Sequence, residues 1–497
     1  MPATELKYKF GLINSAGKYL TAEKFGGKVN ASGASLKAKQ VWTLEQDEGT
    51  SISYLRAPSG NYLSADKNGN VFCDVECKTD SEDVRFNIDR LDDGKWALMN
   101  ERYKRYLGCN GENLTCTASN TDDPSVKWIV QLAIHPQVCM KNFQHQRYAH
   151  LKINEDGSDK VVVEELVPWG ADSTLTLAYL GQGKYALEAF NGKFVQSNGE
   201  LSASATPEAE FTLLFQSGHL VLRDNAGHYL GVASGSKALK SSSKIGISKE
   251  NYFILEDSAP QGAFQYGSKF ASLKQGEDVS FKLLSDDEIT DTETFQLEFI
   301  STDLYAVRVC DTKKTSADVR YWKRVGAGIQ ANGTSKEDAN CQFAVEYEGK
   351  HMYLRAPGGK YIGVRDNGHL YQEDNRKDFV FRLLNRPKLV LKCLHGFVGV
   401  KDSKAELACN RSNFDVFSVS YKEGGYTIQD SEGRYWSIDD ADRVVLGASQ
   451  GLFFFEFHEL SKFAIRAESN GKLIKGEQSG LFTANGADVT RDTLWEF

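Results

Sequence analysis

Residues 17–23, Gly-Lys-Tyr-Leu-Thr-Ala-Glu, decide how this chain is read, because the same short pattern returns eleven more times. A small or turn residue precedes an aromatic or aliphatic anchor, one or two small positions follow, and a polar tip closes the unit. The anchors are Tyr19, Tyr62, Tyr106, Tyr148, Phe194, Tyr229, Phe270, Tyr321, Tyr361, Phe397, Tyr435 and Leu473. Successive anchors lie 35 to 51 residues apart, and a repeat of that period marks a fold of stacked or symmetric units.

Each unit continues through a turn into a strand-like apolar run. Examples are VWTLEQ from Val41, VRFNID from Val84, VKWIVQL from Val126, FTLLFQ from Phe211, FQLEFI from Phe295 and FFFEFHE from Phe453. Aromatic and β-branched residues at short regular spacing, separated by Gly, Asn, Asp and Ser, predict hairpins and no long helix. A single propeller of twelve blades exceeds the usual range, whereas three units of about 40 residues make one domain of common size. The chain therefore reads as all-β: four tandem β-trefoils, residues 1–135, 136–258, 259–385 and 386–497, with the anchor residues expected to form the layered core. With only nine prolines and no long Pro, Gly or Ser tract, the domains should abut. The acidic run Asp286, Asp287, Glu288, Asp291, Glu293 reads as an exposed loop.

Composition excludes several classes. The first ten residues carry Glu5, Lys7 and Lys9 without a signal-length apolar core, and no apolar run reaches membrane-spanning length. A soluble cytoplasmic protein without membrane insertion is expected. The nine cysteines do not follow the repeat, which favours reduced thiols over a disulfide framework. The acceptor triplets at Asn30, Asn113 and Asn332 then carry no meaning. A formal charge of −8, from 59 basic and 67 acidic residues, argues against a nucleic-acid partner and leaves acidic partners to local basic patches. No Cys-x-x-Cys pair, nucleophile elbow, phosphate loop or dinucleotide fingerprint occurs. His145 and His150 read as surface or core histidines. No enzyme, metal site or cofactor is expected.

Several long, non-repetitive stretches add a resemblance. They include Lys18-Tyr19-Leu20-Thr21-Ala22-Glu23, Trp42-Thr43-Leu44-Glu45-Gln46, His135-Pro136-Gln137-Val138, Arg147-Tyr148-Ala149-His150-Leu151, Pro168-Trp169-Gly170, Leu384-Asn385-Arg386-Pro387, His395-Gly396-Phe397 and the terminal Leu-Trp-Glu-Phe. Over essentially its full length the chain resembles the fascin family of actin-bundling proteins, in an invertebrate form. The resemblance implies four β-trefoils in two lobes and a monomer with at least two surfaces for filamentous actin, concentrated in filopodia or other actin-rich projections. It implies a first surface of Lys18, Lys24, Lys28, Lys37 and Lys39 from the first trefoil with His395, Lys472 and Lys475 from the fourth. Ser35, in Ala34-Ser35-Leu36-Lys37, matches the serine phosphorylated by a protein kinase C-type kinase, and a phosphate there would oppose bundling. A second surface is implied at Lys104, Arg105 and Arg147, with Arg365 as a further basic spot. His145 and Gln146 stand where more basic residues are usual, so this surface could respond to pH. The competing class is a sugar-binding trefoil, which would need solvent-facing aromatics beside Asp, Asn or Gln in each unit.

Overall fold

The computed structural model describes residues 8–46, 50–216, 218–243, 246–274, 278–284, 288–310, 319–401 and 406–497. Four hydrogen-bonded sheets account for the strands among these described residues. They run over Lys9–Leu132, Gln137–Glu256, Gln261–Leu383 and Lys388–Glu496, with twelve strands in each of the first three and thirteen in the last. In every sheet a strand near the start pairs antiparallel with the last one, as in Phe10↔Leu132, Cys139↔Glu256, Ala263↔Arg382 and Lys392↔Glu496. That pairing closes a barrel and removes its edges.

The threefold symmetry is visible in the hairpins that cap each barrel. In the first unit Cys73 N–H donates to Gly27 O, Cys116 N–H to Gly69 O and Ala31 N–H to Glu112 O, each at 2.8–2.9 Å. Each hairpin therefore leans on the next and the third returns to the first. Gly27 (φ 59°) is required at its contact, since a Cβ there would stand 2.7 Å from Asp74 Cβ.

The core corrects one expectation. The anchors do not line it; the residue after each anchor does. Leu20, Leu63, Leu107, Ala149, Val195, Leu230, Ala271, Trp322, Ile362, Val398, Trp436 and Ile474 are all at most 1 % exposed. Facing them is one residue from each strand run, among them Trp42, Phe86, Trp128, Phe211, Phe295 and Trp495, equally buried. Trp42, Trp128 and Trp495 stitch the two layers together by donating Nε1–H to the carbonyls of Leu20, Leu107 and Ile474. Neighbouring strand residues face opposite sides, so the anchor rings fall outside the barrel, where Tyr19, Tyr62 and Tyr321 form small satellite clusters. Their hydroxyls need polar partners and find them one strand run back: Tyr62 donates to Glu45, Tyr106 to Asp89 at 2.6 Å, Tyr321 to Glu298 and Tyr361 to Glu346. Tyr19 and Tyr148 close the cycle on Gln131 and Glu256.

The acidic run is also corrected in part. Asp286 and Asp287 lie outside the described residues, but Glu293 is 1 % exposed. It occupies the third position of the short helix Asp291–Glu293, as Gln40 and Asn251 do in Ala38–Gln40 and Lys249–Asn251. From there it accepts from Ser272 Oγ, just as Gln40 donates to Thr21 Oγ1, and it pairs with Lys282 at 3.1 Å. Burial alone would push its carboxyl up; hydrogen bonds from Ser272, Thr290, Thr292 and Lys282 outweigh this and hold it at about 2.

Two continuous apolar cores divide the molecule into lobes, one from Tyr8 to Leu255 and one from Phe264 to Phe497. Equivalent tyrosines join the halves of each. Tyr185 OH accepts from Leu132 N–H and Tyr426 OH accepts from Leu383 N–H. The lobes meet through polar groups: Gln137 donates to Lys388 O and accepts from Val390 N–H, His135 Nε2 lies 3.1 Å from Val390 O, and buried Arg386 donates to Thr174 Oγ1 at 2.9 Å. Burial, with Lys392 nearby, depresses His135 to about 4, so it spans this junction as a neutral ring.

Two outcomes follow. Leu63→Ala should lower stability by about 2–5 kcal/mol, against about 0.5–1.5 for Tyr62→Phe, read as shifts in denaturant midpoint; equal shifts would restore the anchors to the core. Glu293→Gln should cost about 2 kcal/mol at neutral pH after allowance for screening of its lysine pair. Because the folded carboxyl titrates below its unfolded value, that difference should be full above pH about 4.5 and fade towards pH 2 in thermal melts.

Candidate functional site

The first basic group begins on one hairpin. Asn14 fixes its entry, accepting from the amides of Ala16 and Lys18 through Oδ1. Lys24 and Lys28 are exposed at the tip, and Glu23 N–H donates to Lys28 O. Between the two lysines Phe25 is 85 % exposed, the most exposed large apolar side chain among the described residues. Sequence reasoning passes over Phe25 because one aromatic inside a repeat reads as core; its place in the turn, outside the strand alternation, is the signal that separates it.

Ser35, half-buried, leads into exposed Lys37 and half-buried Lys39. The two lysines differ electrostatically. Lys39 Nζ pairs with Glu23 at 2.5 Å and, with Asn30, holds that carboxyl below its ordinary range. Among the described residues no ion pair engages Lys18, Lys24, Lys28 or Lys37.

The fourth-trefoil members meet through Asp492. His395 Nε2 lies 3.5 Å from Asp492 Oδ1, and the Asp492 carbonyl accepts from Gly476 N–H, next to Lys475. Lys475 is partly neutralised by Glu477 at 3.5 Å, while Lys472 is exposed. A cleft of about 730 Å³ opens where the first, second and fourth trefoils meet, and it places Lys37 on one wall and Leu394 and Gly396, the neighbours of His395, on another. Lys9, Lys392 and Lys462 also line it, opposed by Asp257 and Glu496. The sequence does not single these out, because strand register supplies them: Lys392 and Lys462 both pair with Glu496 across the sheet. Lys24 and Lys28 instead sit on the hairpin cap, against the second repeat.

The second group rests on two copies of one turn. Asn100 and Asn142 accept the amides of Lys104 and Gln146 on their carbonyls, and both turn residues are left-handed, at φ 53° and 52°. Arg105 and Arg147 therefore occupy equivalent positions just before the anchors Tyr106 and Tyr148, in adjacent trefoils of one lobe. Arg105 is exposed; Arg147 is half-buried and donates to Gln146 O. Arg365 lies in the other lobe, exposed on the third trefoil's cap with its guanidinium over the Tyr371 ring at 5.2 Å.

The fascin domain matches four stretches of the chain, residues 16–130, 138–255, 272–392 and 394–497. The chain is 72 % identical to fascin of Strongylocentrotus purpuratus over 497 residues, covering all of both proteins. The chain belongs to the fascin family. It is 36 % identical to fascin-2 of Bos taurus, over 99 % of this chain and 98 % of that one, and 25 % identical to mouse fascin-3 over 98 % and 97 %. The invertebrate character expected from the sequence agrees with the higher identity to the sea urchin protein.

His150, three residues beyond Arg147, supplies a pH dependence near the second group. It is buried among Asp172, Glu164 and Glu165 at 3.3–3.6 Å. Burial alone would lower its pKa, but the three carboxylates outweigh it and raise it above the usual imidazole value. Its contribution to stability is complete below pH about 6.5 and is lost as pH rises through the raised value. The gap in melting temperature between wild type and His150→Gln should therefore be wider at pH 6 than at pH 9, and a gap independent of pH would contradict this.

Proposed function

We propose that this chain cross-links actin filaments into tight parallel bundles, using at least two separate basic surfaces on one compact monomer. The observation that carries this reading is full-length membership of the fascin family. The arrangement of the basic groups supports it: one around the first hairpin and the fourth-trefoil side of the cleft, the other on the paired turns at Lys104, Arg105 and Arg147. Arg365 offers a further contact on the opposite lobe. Filamentous actin presents acidic surface, so attraction is local even though the net charge is −8. Two sites on one body convert the second capture into an intramolecular step and fix the distance between filaments. The chemistry is cohesive and not catalytic, and it needs no cofactor. The four units divide at 135/136, 258/259 and 385/386, and the protein works in the cytoplasm, in filopodia or similar projections.

Ser35 is the proposed control point, phosphorylated by a protein kinase C-type enzyme. A phosphate brings about −1.5 to −2 charges at pH 7. It would stand two residues from Lys37, which has no ion pair among the described residues, and oppose the attraction on which the first surface depends.

Paired sedimentation with filamentous actin tests the reading. Wild type should carry actin down at low speed. Lys37→Glu should cut low-speed pelleting strongly while preserving high-speed binding through the second surface, and Lys39→Glu should act more weakly because Glu23 already neutralises that charge. Unchanged bundling by Lys37→Glu would remove the first surface from the account. Failure of wild type to pellet with actin at either speed would pass the function to the sugar-binding alternative.

A further inference from the structure

Two of the nine cysteines, Cys393 and Cys409, stand side by side beneath the fourth-trefoil part of the first surface. Cys393 ends the short strand Lys392–Cys393 and Cys409 lies in Leu407–Arg411 of the same sheet. Cys393 Sγ donates to the carbonyl of Cys409 at 3.3 Å, while Cys409 Sγ lies 3.3 Å from the carbonyl of Leu481 and 3.5 Å from that of Glu477. Both flank one backbone position: a Cβ on Gly476 would lie 3.0 Å from Cys409 Sγ and 3.5 Å from Cys393 Sγ. Glycine there leaves room for the sulfurs to meet.

Their surroundings divide the roles. Cys409 is fully buried, whereas Cys393, 7 % exposed, lines the cleft through which a small reagent reaches it. The neighbouring Cys409 holds the Cys393 thiol below its ordinary value despite burial, and Cys393 in turn pushes Cys409 up. Access therefore assigns Cys393 as the attacking thiol and buried Cys409 as the resolving one.

We propose that Cys393 and Cys409 form a reversible disulfide through exchange with a low-molecular-weight disulfide of the glutathione type, and that this bond weakens the first filament surface. The Cys393 thiolate attacks one sulfur of the reagent and expels one thiolate, leaving a mixed disulfide. Cys409, losing its proton to solvent, attacks the Cys393 sulfur and expels the second. The cysteine pair is oxidised by two electrons and the reagent is reduced to two thiols. Closing the S–S bond to about 2.05 Å removes the Cys393 S–H donor to Cys409 O. It also disturbs the sulfur that accepts from His395 N–H at 3.4 Å. His395 and the Gly476–Lys475 backbone flank that sulfur pair, so the lip of the cleft moves with it. The effect on bundling rests on the proposed function; the disulfide itself does not.

The test uses the full chain with the exposed thiol removed, Cys77→Ser. It is treated with glutathione disulfide, alkylated, mapped by peptide mass spectrometry, and assayed by low-speed pelleting with actin. A Cys393–Cys409 cross-linked peptide should appear, short of two hydrogens, reverse with dithiothreitol, and vanish in Cys393→Ser and in Cys409→Ala, two variants of which either suffices if the other folds poorly. Oxidation should lower low-speed pelleting several-fold in the Cys77→Ser protein and leave the Cys393→Ser protein unaffected. Full alkylation of both thiols after oxidation, or a glutathione adduct at Cys393 that never resolves, would overturn the proposal. A cross-link with unchanged bundling would overturn its regulatory half. Loss of bundling by the reduced protein would count against the proposed function, and the peptide map would still decide for or against the disulfide.

Discussion

Everything else in this molecule depends on one packing constraint: in each of twelve repeats, the residue after the anchor and one residue of the strand run must be wholly withdrawn from water against each other. Burying such side chains contributes about 1.5–3 kcal/mol each, and only a closed barrel with threefold symmetry buries three pairs per layer without leaving a strand edge. Once that layer is set, the anchor rings are forced to the outer face, and the cap hairpins add Ala31, Cys73 and Cys116 to the core while their tips project beyond it. The tips hold each other through backbone hydrogen bonds, which restrict the side chain only at a close approach such as Gly27. This freedom is what allows lysines, and even Phe25, to occupy them.

The repeat period and the strand runs were legible because aromatic and β-branched residues at spacing near two have few alternatives to a strand. The register of the core was not. Tyr19 and Leu20 are both apolar enough to be buried, and a bulky ring suggests an interior place, but its hydroxyl needs a partner such as Gln131 and so selects the outer face. Glu293 misled for the opposite reason: acidic neighbours suggested solvent, while a position equivalent to Gln40 gave it buried Ser272, with Thr290 and Thr292, as hydrogen-bond partners. The cleft could not be read at all, since Lys9, Lys37, Lys392 and Lys462 converge only when three trefoils dock.

The lobes also explain how a chain of negative net charge can present basic surfaces. Acidic residues near the candidate groups are engaged with particular cations, as Glu23 is with Lys39 and Asp83 with Arg102. What remains exposed and without an ion pair among the described residues, including Lys18, Lys24, Lys28, Lys37 and Lys472 of the first group and Arg105 of the second, sets the local field. Exposed pairs of this kind add little to stability; their importance is in deciding which lysines are available to a partner. Shared apolar cores and the buried Gln137–Val390 and Arg386–Thr174 contacts hold the surfaces in fixed relation, and a fixed relation separates an ordered bundle from a loose net.

That claim is tested most directly by electron microscopy of actin filaments mixed with the purified chain, measuring the distribution of distances between neighbouring filaments. Two sites on one rigid monomer predict parallel bundles with a single narrow spacing that does not change with the amount of protein added. Filaments that stay single, or crossed networks with a broad range of spacings, would contradict it.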